Sequence, residues 1–210
     1  MQVRRRAFLI ALGGLPFLAG CLSPGRPSIV QVSESFEPWL EAPYEIGSQP
    51  AQSTLHDQPV VQIHPAWSIQ PVARYALCAR VLGAQRYRFD DLSEICPVDL
   101  ALAWGEADDD LIQAETDVSQ SGRWYRWRSK TMPLPSSTLN RNMANVHMIP
   151  ANEALGIALL QIEEGDRVAI EGLLVDLLHT SGRRSNSSRS RTDSGAGACE
   201  ILYVQRVQWL

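Results

Sequence analysis

Apolar and polar positions alternate from Arg74 to Val81, where Tyr75, Leu77, Ala79 and Val81 interleave with Arg74, Ala76, Cys78 and Arg80. A period of two predicts a half-buried strand. Tyr87 and Phe89 continue the alternation against Arg86 and Arg88. An odd-length turn over Gly83–Gln85, or a bulge, is needed to bring Val81 opposite Tyr87. On that register Cys78 lies on the arginine face. Pro97–Trp104 and Asp108–Glu115 read as short helices, with Pro97 in a first turn and Asp108 as N-cap. Arg123–Arg128 alternates as a strand with Tyr125 and Trp127 on one face, and 132–150 reads as loop. Asn152 can cap a helix over Glu153–Ile162, whose Leu155, Leu159 and Ile162 form one stripe. Val168 and Ile170 oppose Arg167 and Glu171, and beyond Gly172 the apolar phase passes to Leu173, Val175 and Leu177. A slip at glycine predicts a bulge or sharp bend. A Ser/Gly/Arg-rich loop over 179–198 precedes a last strand over Cys199–Trp209. The sum is an α+β, mainly β fold, either a small open barrel or a compact antiparallel sheet with a few short helices. One globular domain is expected over 72–210.

The N-terminal pattern is different. Arg4-Arg5-Arg6 precedes an apolar run from Ala7 to Phe17, and Leu18-Ala19-Gly20-Cys21 follows. The run is too short to span a bilayer of about 30 Å. Charged, apolar and small-residue regions ending in cysteine resemble the signal of a bacterial lipoprotein. The resemblance implies cleavage between Gly20 and Cys21, palmitate and other acyl chains on Cys21, and a protein facing the periplasm from the membrane, the outer membrane favoured over the inner. The arginine run suits ordinary secretory export and also resembles a twin-arginine signal. Residues 22–71 hold eight of the thirteen prolines. Proline is excluded from helix interiors and central strands, so 21–71 is expected to be a lipidated tether, partly docked through Trp39, Tyr44 and Trp67.

The chain carries 19 lysines and arginines against 23 acidic residues, a net charge of −4. Losing Arg4, Arg5 and Arg6 with the signal takes it to about −7, which argues against a domain built to bind nucleic acid. With Cys21 lipidated, Cys78, Cys96 and Cys199 remain. In an oxidising compartment two of these can bridge, and all three can equally be buried thiols. Their spacing lacks the paired cysteines of a zinc site, and no metal or cofactor is expected.

Three stretches carry candidate chemistry. Arg123-Trp124-Tyr125-Arg126-Trp127-Arg128 interleaves cations and aromatics, a pattern that can stack on rings and meet anions. It is also an ordinary strand with Tyr125 and Trp127 inward and Arg126 and Arg128 in water. The loop bearing Arg183, Arg184, Arg189 and Arg191 among serines can bind phosphate or another anionic partner, or be a solvated connection. His147, beside Asn142 and Asn145, could join Cys199 and Asp193 as imidazole, thiol and carboxylate. Cys199 could equally be a structural thiol at a strand start. The aspartates 108–110 suit a helix start better than a calcium loop.

Gly165–Val175 resembles strands of OB-like barrels. Pro97–Gly105, Ser119–Tyr125, His147–Ala151 and Arg191–Glu200 are similar to blocks of uncharacterised bacterial exported proteins, a likeness that implies no activity. The expectation is a membrane-anchored envelope lipoprotein acting as a non-catalytic binding, accessory or scaffold module with an envelope protein partner. The alternatives are an envelope hydrolase using His147 with Cys199 or Asp193, and a polyanion- or nucleic-acid-binding barrel using Trp124, Arg126 and Arg128.

Overall fold

The computed structural model describes residues 26–39, 47–190 and 198–210. Its strands are β1 (Ile29–Gln31), β2 (Ala51–Thr54), β3 (Val61–His64), β4 (Trp67–Arg86), β5 (Val98–Ala103), β6 (Thr116–Ser121), β7 (Trp124–Ser129), β8 (Met143–Pro150), β9 (Arg167–His179), β10 (Arg184–Ser185) and β11 (Glu200–Trp209). The α-helices are α1 (Asp110–Ala114), α2 (Ser136–Arg141) and α3 (Glu153–Gln161).

The strand pairings close on themselves. β4 pairs with β5, β5 with β8, β8 with β11, β11 with β9, and β9 returns to β4. Only β8–β11 is parallel, and α3 links the third barrel strand to the fourth. This is the connectivity of an OB-type barrel. β1 adds to β11, while β2 and β3 pair with β4. β4 starts at Trp67, ahead of the expected domain start at Val72, and Trp67 itself is buried.

Alternation places the barrel interior. Tyr75, Leu77, Ala79 and Val81 meet Val98, Leu100 and Leu102, Val146 and Met148, Val168 and Ile170, and Leu202 and Val204. α3 closes this core with Leu155 and Leu159, together with Ile162 just past its end. The helix starts where Asn152 Oδ1 accepts the Leu155 N–H at 2.9 Å.

Several local expectations are corrected. Pro97–Trp104 is not a helix but contains β5, and 132–150 is not all loop but contains α2 and β8. Both strands are buried on both faces, one by the barrel interior and the other by the β6–β7 hairpin and its neighbours. Two-sided burial removes the polar alternation that announces a strand. Of the turn or bulge expected near Gly83, the bulge is found, and β4 does not turn there. It runs through to Arg86 with a bulge between Val81 and Gly83, and Phe89 is fully exposed. The N-cap of α1 is Asp109, which accepts from the N–H groups of Leu111 and Ile112. Asp108 is instead buried and held by Arg80 at 2.7 Å and Arg167 at 3.2 Å. The apparent slip in β9 is two cores read in series. Val168, Ile170 and Leu174 face the barrel, while Val175 and Leu177 join a second cluster with Trp67, Ile69 and Ile201. A Cβ on Gly172 would overlap the Tyr203 carbonyl oxygen, so glycine permits the close crossing of β9 and β11 beside the bulge in β11.

Candidate active site

The odd-numbered residues of β5 and β8 face away from the barrel interior. Asp99 and His147 are direct cross-strand partners there, and Asn145 pairs with Ala101. The β6–β7 hairpin folds over this face and seals Ala101, Ala103 and Met143 beneath Val118, Tyr125 and Trp127. Its tip carries the centre of the site.

Ser121 and Trp124 close the hairpin, leaving Gly122 and Arg123 as a two-residue turn with φ of 58° and 70°. Positive φ at both positions matches the right-handed twist of the strands. Arginine in this conformation costs on the order of 1 kcal/mol. Its contacts offset that cost. The guanidinium donates to both Asp90 carboxylate oxygens at 2.9 and 2.8 Å, to Asp99 Oδ1 at 2.8 Å and to the Cys96 carbonyl at 2.9 Å. It also stacks over the Tyr87 ring at 3.7 Å. Arg123 therefore pins the hairpin to the barrel.

Asp99 is fully buried and serves a second cation. His147 Nδ1 lies 2.9 Å from Asp99 Oδ1. The ring N–H points off the line to the oxygen, so the contact is a short ion pair rather than an aligned hydrogen bond. Cys199 lines the same cleft as this imidazole and acts on it electrostatically. Burial pushes His147 down, but Asp99 and Cys199 outweigh it and raise its pKa to about 9, so the ring is an imidazolium at neutral pH. Gln120 Nε2 donates to Asn145 Oδ1 at 2.7 Å, and Asn145 Nδ2 faces Cys199 Sγ at 4.0 Å.

A cleft of about 310 Å³ opens over this group. His147 and Cys199 line it, Trp124, Leu92, Leu177 and Ile201 give it apolar walls, and Ser185 of β10 and the following Asn186 complete it. The three cysteines among the described residues are unbridged. Cys199 is part-exposed, whereas Cys78 and Cys96 are buried. Burial raises Cys78 to about 11, and burial together with Asp99 pushes the Cys96 thiol well up.

Ligand atoms of Cys96, Asp99 and His147 lie within 4.8 Å of one another, a spacing that could hold a metal ion. Arg123 Nη1 already stands 3.3 Å from Cys96 Sγ and 2.8 Å from Asp99. The guanidinium supplies the positive charge that a metal would bring, and a metal would have to displace it.

The other sequence-derived candidates are distributed as follows. Trp124 lines the cleft and is 48% exposed. Arg126 and Arg128 follow it on the exposed face of β7, Arg128 opposite Asp117. Arg189 pairs with Asp176 at 2.9 Å and Arg183 with Asp91 at 3.2 Å, so two of the loop's cations are engaged within the chain. Gly20, Cys21, Arg191 and Asp193 lie outside the described residues. The structure brings His147 to Cys199 and supplies Asp99 as its carboxylate. Asp99 and Asn145 escaped sequence reasoning as functional residues. The large–small alternation of Val98, Leu100 and Leu102 with Asp99, Ala101 and Ala103 was the signal that could have placed Asp99 on an outward face.

No protein-family model matches the chain, and no curated protein does so either.

Proposed function

We propose that this protein is a cell-envelope lipoprotein, cut before Cys21 and anchored there by acyl chains, whose barrel binds its ligand in the cleft over β5 and β8. The signal-like order of Arg4–Arg6, Ala7–Phe17 and Leu18–Cys21 supports the anchor. No helix among the described residues is long and apolar enough to cross a membrane.

The cleft is the observation that carries the binding reading. It joins apolar walls to a few convergent polar groups, the usual make-up of a small-ligand site. It also lies on the outer face of the second and third barrel strands, beside the connections after the first and fourth strands, where OB-type barrels bind. Its chemistry selects a ligand with an apolar part and an anionic or carbonyl group, the former against Trp124 and Ile201 and the latter toward the His147 imidazolium. The engaged arginines of the β9–β11 loop and the acidic chain make a long polyanion a poorer fit.

The test is a ligand-observed NMR screen of small carboxylates, esters and capped peptides against the full chain in detergent. Hits should lose at least ~10-fold in affinity in Trp124→Ala, about 1.4 kcal/mol. Hits that bind the variant as tightly as the wild type place the ligand elsewhere.

A further inference from the structure

Cys199 occupies a place that a buried structural thiol would not. It is part-exposed at the edge of the cleft, which it lines together with an imidazole that is itself ion-paired to a buried carboxylate. Cys96 and Cys78 lack that combination of exposure and partner. Asp99, His147 and Asn145 sit on two adjacent barrel strands, with Cys199 immediately before a third. Groups mounted on strands are held more precisely than groups mounted on loops.

We infer that Cys199 is the nucleophile of an acyl-transfer reaction, with His147 as general acid and base, Asp99 as positioning residue and Asn145 as donor to the developing oxyanion. The substrate class is an ester, thioester or activated amide with an apolar acyl substituent. The inference rests on the cleft being the ligand site.

Cys199 loses its proton to solvent beside the His147 imidazolium, and Sγ attacks the acyl carbon, forming a C–S bond while the carbonyl π pair moves to oxygen. We place that oxygen on the side of Asn145 Nδ2, which in the free protein donates to the Arg123 carbonyl at 3.4 Å and to Cys199 Sγ at 4.0 Å and whose Oδ1 is held by Gln120. When the carbonyl re-forms, the bond to the leaving group breaks and the His147 imidazolium gives its proton to it. Water then attacks the thioester with His147 accepting its proton. The C–S bond breaks, the acid departs and the thiol regains its proton. No oxidant or reductant enters. Asp99 holds the ring against β5 and favours the imidazolium, which places a positive charge beside the attacking Sγ. Leu92, Trp124 and Ile201 offer the acyl substituent an apolar wall.

The experiment uses the full chain in detergent with p-nitrophenyl acetate and p-nitrophenyl butyrate, reading p-nitrophenolate release and peptide mass. The expected result is a transient acyl group on Cys199, formed faster than on free cysteine and removed by hydroxylamine. Cys199→Ala should abolish it, and His147→Gln should slow it by about 10² or more. Asn145→Ala should slow it by a comparable factor with unchanged near-ultraviolet circular dichroism, which decides the matter if His147→Gln does not fold. Asp99, Cys199, Arg123 and Cys96 are the titratable or charged groups around His147. Asp99→Asn should therefore lower the alkaline limb of the pH–rate profile, a shift that lost packing alone would not cause. Acylation of Cys199 no faster than free cysteine, or equally fast in wild type and Asn145→Ala, overturns the inference. Ligands that still bind the wild type in that case leave the binding reading intact, and ligands that fail to bind overturn both.

Discussion

His147 is the residue at which charge, burial and function meet. Its folded pKa of about 9 lies above the ordinary 6.5 because Asp99 and Cys199 outweigh burial. A raised pKa means that the folded state holds the proton more tightly than the unfolded chain. The stabilisation is therefore fully present below about pH 6.5 and is lost as pH rises through about 9. At roughly 1.4 kcal/mol per unit, the span is on the order of 3 kcal/mol. Urea titrations between pH 6 and pH 10 should show that loss in the wild type and a much shallower one in His147→Gln. Equal slopes would remove His147 as the source. His147 and Cys199 could be picked out from the sequence because their side chains are chemically distinctive. Asp99 was not, since the large–small alternation around it gives at most its face and never its cross-strand partner.

At the scale of elements, legibility followed the number of buried faces. β7 and α3 each keep one solvated side over much of their length, and β4, though buried on both faces over Tyr75–Ala79, carries Arg74 and Arg80 on its second face, so their alternation or stripe is visible in the sequence. β5 and β8 lie between the barrel core and a covering layer, so their apolar runs lack the polar alternation that separates strand from helix or loop. The site depends on these two strands, which is why it stayed hidden while the fold class was readable. Gly172 shows the reverse case, in which a sequence anomaly had a different physical origin. The glycine marks a backbone crossing, and the face alternation passes through it unbroken. Gly172→Ala should force β9 away from the Tyr203 carbonyl and cost about 1–3 kcal/mol in urea denaturation. A loss under about 0.5 kcal/mol, typical of a surface change, would mean that the crossing has slack.

The whole molecule joins the proposed anchor to the barrel by a short path. Arg26 ion-pairs Asp166 at 2.6 Å, packs 5.6 Å from the Trp209 ring and leads into β1 on the edge of β11. Only five steps of chain separate Arg26 from Cys21. At roughly 3.5 Å per residue that is a reach of about 18 Å. An acylated Cys21 would thus hold the barrel against the headgroup region, a much tighter geometry than a free tether over 21–71 would impose. Three acyl chains anchor stably where one does not. Palmitate labelling and membrane fractionation of cells expressing the full chain should therefore find wild type labelled and sedimenting with membranes. Cys21→Ser should be unlabelled, and its barrel should fold as before because the Arg26–Asp166 pair and β1 lie beyond the substitution. A Cys21→Ser protein that still took up palmitate would refute the anchor. A wild type that remained unlabelled, yet acylated Cys199 in vitro, would separate the chemistry of the cleft from the proposed location.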